Sequence, residues 1–106
     1  MESNQSADRW GALADGTRLA IVACLAEGPH AVGELAAGLP VSRSAVSQHL
    51  KILKDAGLVE DTAAGTRRIY RLNPAALAAL RDQLDTYWRR ALAGYAEAAE
   101  EPTGEA

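Results

Sequence analysis

With 106 residues, 48% of them hydrophobic, the chain can bury one core and little more, so a single domain is expected. Four Pro and nine Gly are too few for a collagen-like or disordered chain, and no apolar run nears the roughly 18 residues of a membrane span, which predicts a soluble globular protein. The net charge of -3 would argue against a nucleic-acid partner if it were evenly spread, but Val41 to Arg71 holds six bases against three acids, a local +3.

The opening "MESNQSADRW" has neither a basic start with an apolar core nor a small-residue cleavage site. No export signal is read there, and a cytoplasmic protein is expected. A single cysteine cannot form an internal disulfide, in keeping with a reducing compartment. After a polar lead expected to fray, "ADRWGALAD" predicts a short helix with Trp10 and Leu13 on one face. In "DGTRLAIVACLAEGP", Asp15 can cap a second helix whose Leu19, Val22 and Ala26 recur at i, i+3 and i+7, with Ile21 and Leu25 beside them and Gly28 and Pro29 at its end. A third, short helix runs through "VGELAAGL", with Val32, Leu35 and Leu39 as its buried stripe.

The fourth helix is "SRSAVSQHLKIL", with Ser42 as N-cap and an end between Asp55 and Gly57. Ala45, Val46, His49, Leu50, Ile52, Leu53 and Ala56 share one arc of it, and Ser44, Ser47, Gln48, Lys51 and Asp55 the opposite one. Next, "LVEDTAAGTRRIYRL" reads as a hairpin turning at Gly65. Asn73 then caps, and Pro74 starts, a long last helix on which Leu77, Leu80, Leu84, Trp88, Ala91 and Tyr95 recur at three and four, widened by Tyr87 and Leu92. No fixed-period repeat occurs, which argues against a solenoid. The organisation expected is one winged-helix domain over 1–106: an N-terminal helical region at 1–14, a helix-turn-helix and wing at 15–73, a dimerisation helix at 74–96, and an acidic solvated tail at 97–106 holding Glu97, Glu100, Glu101 and Glu105.

Three short helices, a turn, a fourth helix and a hairpin describe a mainly α winged helix-turn-helix with a small β-hairpin. A helix entering the DNA major groove must approach base edges closely, so short hydroxyls and planar amides serve it better than bulky solvated charges. Ser42, Ser44, Ser47 and Gln48 fit that need, with Arg43 and Lys51 able to reach phosphate or guanine. Arg67, Arg68 and Arg71 follow the hairpin turn, where a wing meets the DNA backbone. The bland alternatives are an ordinary polar helix face and edge-strand charge that blocks aggregation. The long last helix raises a different question, since one small core cannot easily cover Leu84, Trp88, Leu92 and Tyr95, and a partner subunit could.

The stretches "ALADGTRLAIVACLAEGPHAVGELA", "VSRSAVSQHLKILKDAGLVE" and "GTRRIYRLNPAAL" resemble the ArsR/SmtB family of winged-helix repressors, from about Leu13 to Leu77. The resemblance implies a bacterial homodimer that binds double-stranded DNA and represses transcription, often of its own operon. It also implies pairing through the first and last helices, which places Trp10, Leu13, Leu80, Leu84, Trp88, Leu92 and Tyr95 at the dimer interface. Gly16 departs from the family pattern, which usually has Pro after the Asp.

Metal sensing, common in that family, does not carry over residue by residue. One family site uses Cys-x-Cys at the third helix, and "HAVGELAAG" has no cysteine. Another uses His with carboxylates on the last helix, where this chain has only Asp82, Asp85, Glu97, Glu100 and Glu101. His30 and His49 are read as structural and Cys24 as a buried, inert thiol, so no metal or cofactor is expected. Two rival functions stay open: a winged helix turned protein-interaction module, and a redox or small-ligand sensor using Cys24 or a cavity between subunits, with an unknown small molecule as inducer. No nucleophile and base motif, phosphate loop or paired acids point to an enzyme.

Overall fold

The computed structural model describes residues 3–100. In chain order the elements are α1 (Ser3–Ala12), α2 (Gly16–Ala26), β1 (His30–Ala31), α3 (Val32–Ala37), α4 (Arg43–Asp55), β2 (Val59–Ala64), β3 (Arg67–Leu72) and α5 (Pro74–Glu100). The first helix starts at Ser3, so the polar lead expected to fray is helical backbone from there. The last helix continues through Glu100 rather than stopping at 96, because nothing in "GYAEAAE" interrupts a run of good helix formers except Gly94. The rest of the expected tail, from Glu101 onward, lies outside the described residues.

Local chemistry sets each boundary. Asp15 sits in extended backbone and its side chain accepts from the Arg18 N–H at 3.0 Å, capping α2. Ser42 Oγ accepts from the Ala45 N–H at 3.1 Å and caps α4. That helix ends with Gly57 at φ +79, where the Leu58 N–H reaches Leu53 O and the Gly57 N–H reaches Lys54 O, both at 2.9 Å. This paired closure needs a left-handed residue, which glycine supplies without a Cβ penalty. Asn73 caps α5 through Oδ1, which accepts from Ala75 N–H at 3.0 Å, and ties the cap to α4 by donating from Nδ2 to Gly57 O.

β3 is the centre of an antiparallel sheet of order β1-β3-β2. Val59 faces Leu72 and Ala64 faces Arg67, leaving Gly65 and Thr66 as a two-residue connection. Gly65 has φ +67 and Thr66 does not have a positive φ, as a type II′ turn requires. The other edge of β3 was not legible in the sequence: His30 pairs with Tyr70 and Ala31 with Ile69. The expected hairpin is thus a three-stranded sheet, pinned to the α2–α3 connection.

The core gathers Ile21, Leu25, Leu35, Val46, Leu50, Leu53 and Leu58. On α2 the buried residues are Ile21 and Leu25, while Leu19, expected on the stripe, is 51% exposed and Ala26 is exposed. The two candidate stripes lie side by side on the helix, and burial selects the one carrying the larger pair of side chains. On α4, Val46, Leu50 and Leu53 are fully buried as expected, but Ile52 is 43% exposed. It stands about 120° around the helix from Val46, on the shoulder of the arc. Cys24 is half-buried against the core rather than sealed inside it.

Candidate nucleic-acid interface

With its apolar face sunk in the core, α4 has one orientation, and Ser42, Arg43, Ser44, Ser47, Gln48 and Lys51 are all exposed. Ser42 spends its acceptor on the cap. Among the described residues, the side chains of Ser44, Ser47 and Gln48 make no hydrogen bond, so their donors and acceptors face solvent. Arg43 lays its guanidinium over Gly33, where a Cβ would stand only 3.7 Å away. Lys51 pairs with Asp55 one turn on, at 3.0 Å, a solvated pair of small energetic weight.

The wing arginines are engaged within the chain, which their position after a turn did not reveal. Arg67 Nη2 meets Glu34 Oε2 at 3.3 Å, both side chains more than half exposed. Arg68 Nε donates to Asp61 Oδ2 at 2.8 Å, and Lys54 Nζ lies 2.9 Å from Asp61 Oδ1. The Asp61 side chain is only 6% exposed, so this carboxylate is a strut between the last turn of α4 and the wing. Hydrogen bonds from Arg68, then Lys54, hold its carboxyl below the ordinary 3.8. Arg71 Nη2 donates to Thr62 Oγ1 at 2.9 Å. Glu34 is held below its ordinary 4.5 first by the Ala31 N–H and then by the charge of Arg67. Neither acid was singled out from the sequence. For Glu34 a signal existed, three residues after the end of an extended stretch, where an acid reaches back to the free N–H groups of a helix start.

The imidazoles and the thiol occupy separate settings. His30 Nδ1 is 2.7 Å from Gly28 O. His49 Nδ1 is 3.2 Å from Arg18 Nη1, and since a guanidinium only donates, the imidazole accepts there. Arg18 also donates from Nε to Ala12 O, the end of α1. Among the described residues no three His, Cys, Asp or Glu side chains come together as a metal site would need.

The residues expected at a dimer interface divide in two. Leu84, Trp88, Leu92 and Tyr95 are 47% to 74% exposed along α5, joined by Tyr87. Leu80 is 6% exposed and belongs to the subunit's own core. Trp10 and Leu13 pack against that core, and Trp10 Nε1 donates to Gln83 Oε1 at 2.6 Å, fastening α1 to α5. Between Arg81 and Ala91 the open face forms an apolar hollow of about 520 Å³ with Trp88 and Leu84 in its wall.

The model for bacterial regulatory proteins of the arsR family matches residues 15–61, the span from the α2 cap to the Asp61 strut. The HTH-type transcriptional regulator Rv2034 of Mycobacterium tuberculosis is 66% identical over 98 residues, 92% of this chain and 92% of that one. This chain belongs to the ArsR family. The Arsenical resistance operon repressor of Escherichia coli is 40% identical over 78 residues, 73% of this chain and 67% of that one. Among solved structures, the homodimeric winged helix-turn-helix DNA-binding domain Mb0332 of Mycobacterium bovis superposes with a TM-score of 0.69 at 34% identity, covering 85% of this chain and 83% of that one. An ArsR-family chain with this fold is a DNA-binding regulator of transcription, not an enzyme. Among the described residues no helix is long and apolar enough to cross a membrane.

Proposed function

We propose that this ArsR-family chain acts in the cytoplasm as a homodimeric repressor on a two-fold DNA operator, with no metal needed for binding or release. The observation that carries this reading is the face of α4. Ser44, Ser47 and Gln48 stand exposed and unbonded on a helix whose opposite side is locked by Val46, Leu50 and Leu53, which is what base-edge readout in the major groove demands. Arg43 at the start of that helix and Arg67 at the wing flank it as phosphate contacts. The apolar face of α5 supplies the second subunit's seat, and the homodimeric state of Mb0332 supports that arrangement. Two recognition helices related by a two-fold axis would meet half-sites about one helical turn apart. Metal independence rests on the donor set: among the described residues no three His, Cys, Asp or Glu side chains come together, and α5 offers carboxylates without imidazole or thiolate.

A salt titration on a selected operator and a random duplex tests the division of labour. Gln48→Ala is expected to lose roughly 1 to 3 kcal/mol of discrimination, while Arg67→Ala weakens both duplexes and flattens the salt slope by about one unit. The same titration with micromolar zinc, copper, nickel or cadmium should give unchanged affinity. Equal effects of the two substitutions on discrimination would refute the assignment of base readout to α4, and metal-driven release would refute metal independence.

A further inference from the structure

Between the start of α4 and the wing tip lies a groove of about 530 Å³ whose wall carries Arg43, Arg67 and Arg68, with Glu34 among them. Three arginines lining one concave surface suit a phosphate backbone. A carboxylate in the same groove opposes that use. Its two oxygens have separate tasks: Oε1 accepts from the Ala31 N–H at 2.7 Å and closes the first turn of α3, while Oε2 meets Arg67 at 3.3 Å. The first task needs an acceptor, and the second needs a charge.

Burial separates this ion pair from the neighbouring one. Asp61 is 6% exposed beneath two cations that it bonds at once, so exchanging its partners would break two ion pairs. Glu34 and Arg67 are 53% and 56% exposed, and a pair so solvated is held weakly and exchanges at little cost. We propose that Glu34 is an affinity-setting residue that occupies, in the free protein, the place of a DNA phosphate on Arg67, so that engaging any duplex exchanges one ion pair for another. This rests on the DNA-binding reading above. Because the exchange involves no base, it lowers affinity for every duplex alike and keeps the regulator off random DNA, leaving discrimination to Ser44, Ser47 and Gln48. The released carboxylate also takes up a cation from solution, which offsets part of the ion release that accompanies the phosphate contact.

The test is Glu34→Gln, which keeps an acceptor for the Ala31 N–H and removes the charge. Salt titrations on operator and random duplexes should show both bound about two- to fivefold more tightly, with a slope steeper by up to about one unit. In an Arg67→Ala background the gain should disappear, since Arg67 is the group being released. In the unaltered protein, carboxyl carbon NMR of Glu34 should show its titration moving up toward the ordinary range when duplex is added, a readout that does not depend on the variant folding. No gain in affinity from the folded variant, a gain that persists with Arg67→Ala, or a Glu34 titration indifferent to DNA would each overturn the proposal. Should the unaltered protein show no salt-sensitive affinity for duplex DNA, the DNA-binding reading falls and takes this one with it; operator binding with an indifferent Glu34 defeats this one alone.

Discussion

Asp61 shows how one side chain can settle the geometry of a whole surface. Its Oδ1 faces Lys54 on α4 and its Oδ2 faces Arg68 on β3, so the recognition helix and the wing share a single nearly buried anion. Two cations around it hold its carboxyl below the ordinary 3.8. A depressed folded value means that the charged form stabilises the native state: the contribution is complete above the ordinary value and is lost as pH falls through the folded one. Asp61→Asn should therefore melt lower than the unaltered protein at neutral pH, with the deficit shrinking as pH drops below 3.8. Melting curves from pH 7 to pH 3, followed by circular dichroism, check the sign, and a deficit that grows on acidification would show that Asp61 does not act through its charge. The residues of the α4 face were legible in the sequence because helical period and the Ser42 cap set which side chains lie opposite Val46, Leu50 and Leu53. The partners of the wing arginines were not, since Glu34 and Asp61 reach them only through strand register and the packing of α3.

At the scale of elements, α2 illustrates a boundary that the sequence marks well and leaves loose. Asp15 caps it from extended backbone, φ -139 and ψ 130, and Gly16 follows as its first helical residue with nothing within 4 Å of where a Cβ would stand. The first helical N–H has no partner within the helix, and proline's fixed φ matches that position. The extended conformation of Asp15 is also the one a following proline prefers. Gly16→Pro should thus stabilise the chain by about 0.4 to 1 kcal/mol, through a less disordered unfolded state. Urea unfolding measures it, and a loss of stability would show that the backbone at Gly16 departs from helical φ. The same helix marks where periodicity fails: Leu19–Val22 and Ile21–Leu25 are adjacent stripes that the period alone does not rank, and it is Ile21 and Leu25 that are buried where α2 packs with α4 and β3. β1 fails for a related reason. Two residues have no period to read, and its pairing to Ile69 and Tyr70 spans almost forty positions.

For the whole molecule, α5 contributes to the core near its start and carries an exposed apolar face further on, and the two separate along its length. Leu80 sits at 6% exposure with Ala76 and Leu53 in the same core cluster. Two turns on, Trp88 is 61% exposed, flanked by Leu84 and Leu92. An apolar face of this kind is costly to leave in water, and in the proposed homodimer a second copy meeting it about a two-fold axis would cover it with its own equivalent. Leu80→Ala should cost about 2 to 5 kcal/mol by opening a cavity, with no change in subunit association among molecules that remain folded. Trp88→Glu should do the reverse. A charge on the open face leaves the subunit's core intact, yet placed at a two-fold interface it meets its own copy, and like charges desolvated together oppose pairing. Sedimentation should then find the Trp88→Glu protein largely monomeric, with binding to a two-fold operator lost because two half-sites no longer share one protein. Unchanged dimers would assign the apolar face of α5 to a different partner, and the second subunit's seat would have to be sought elsewhere on the chain.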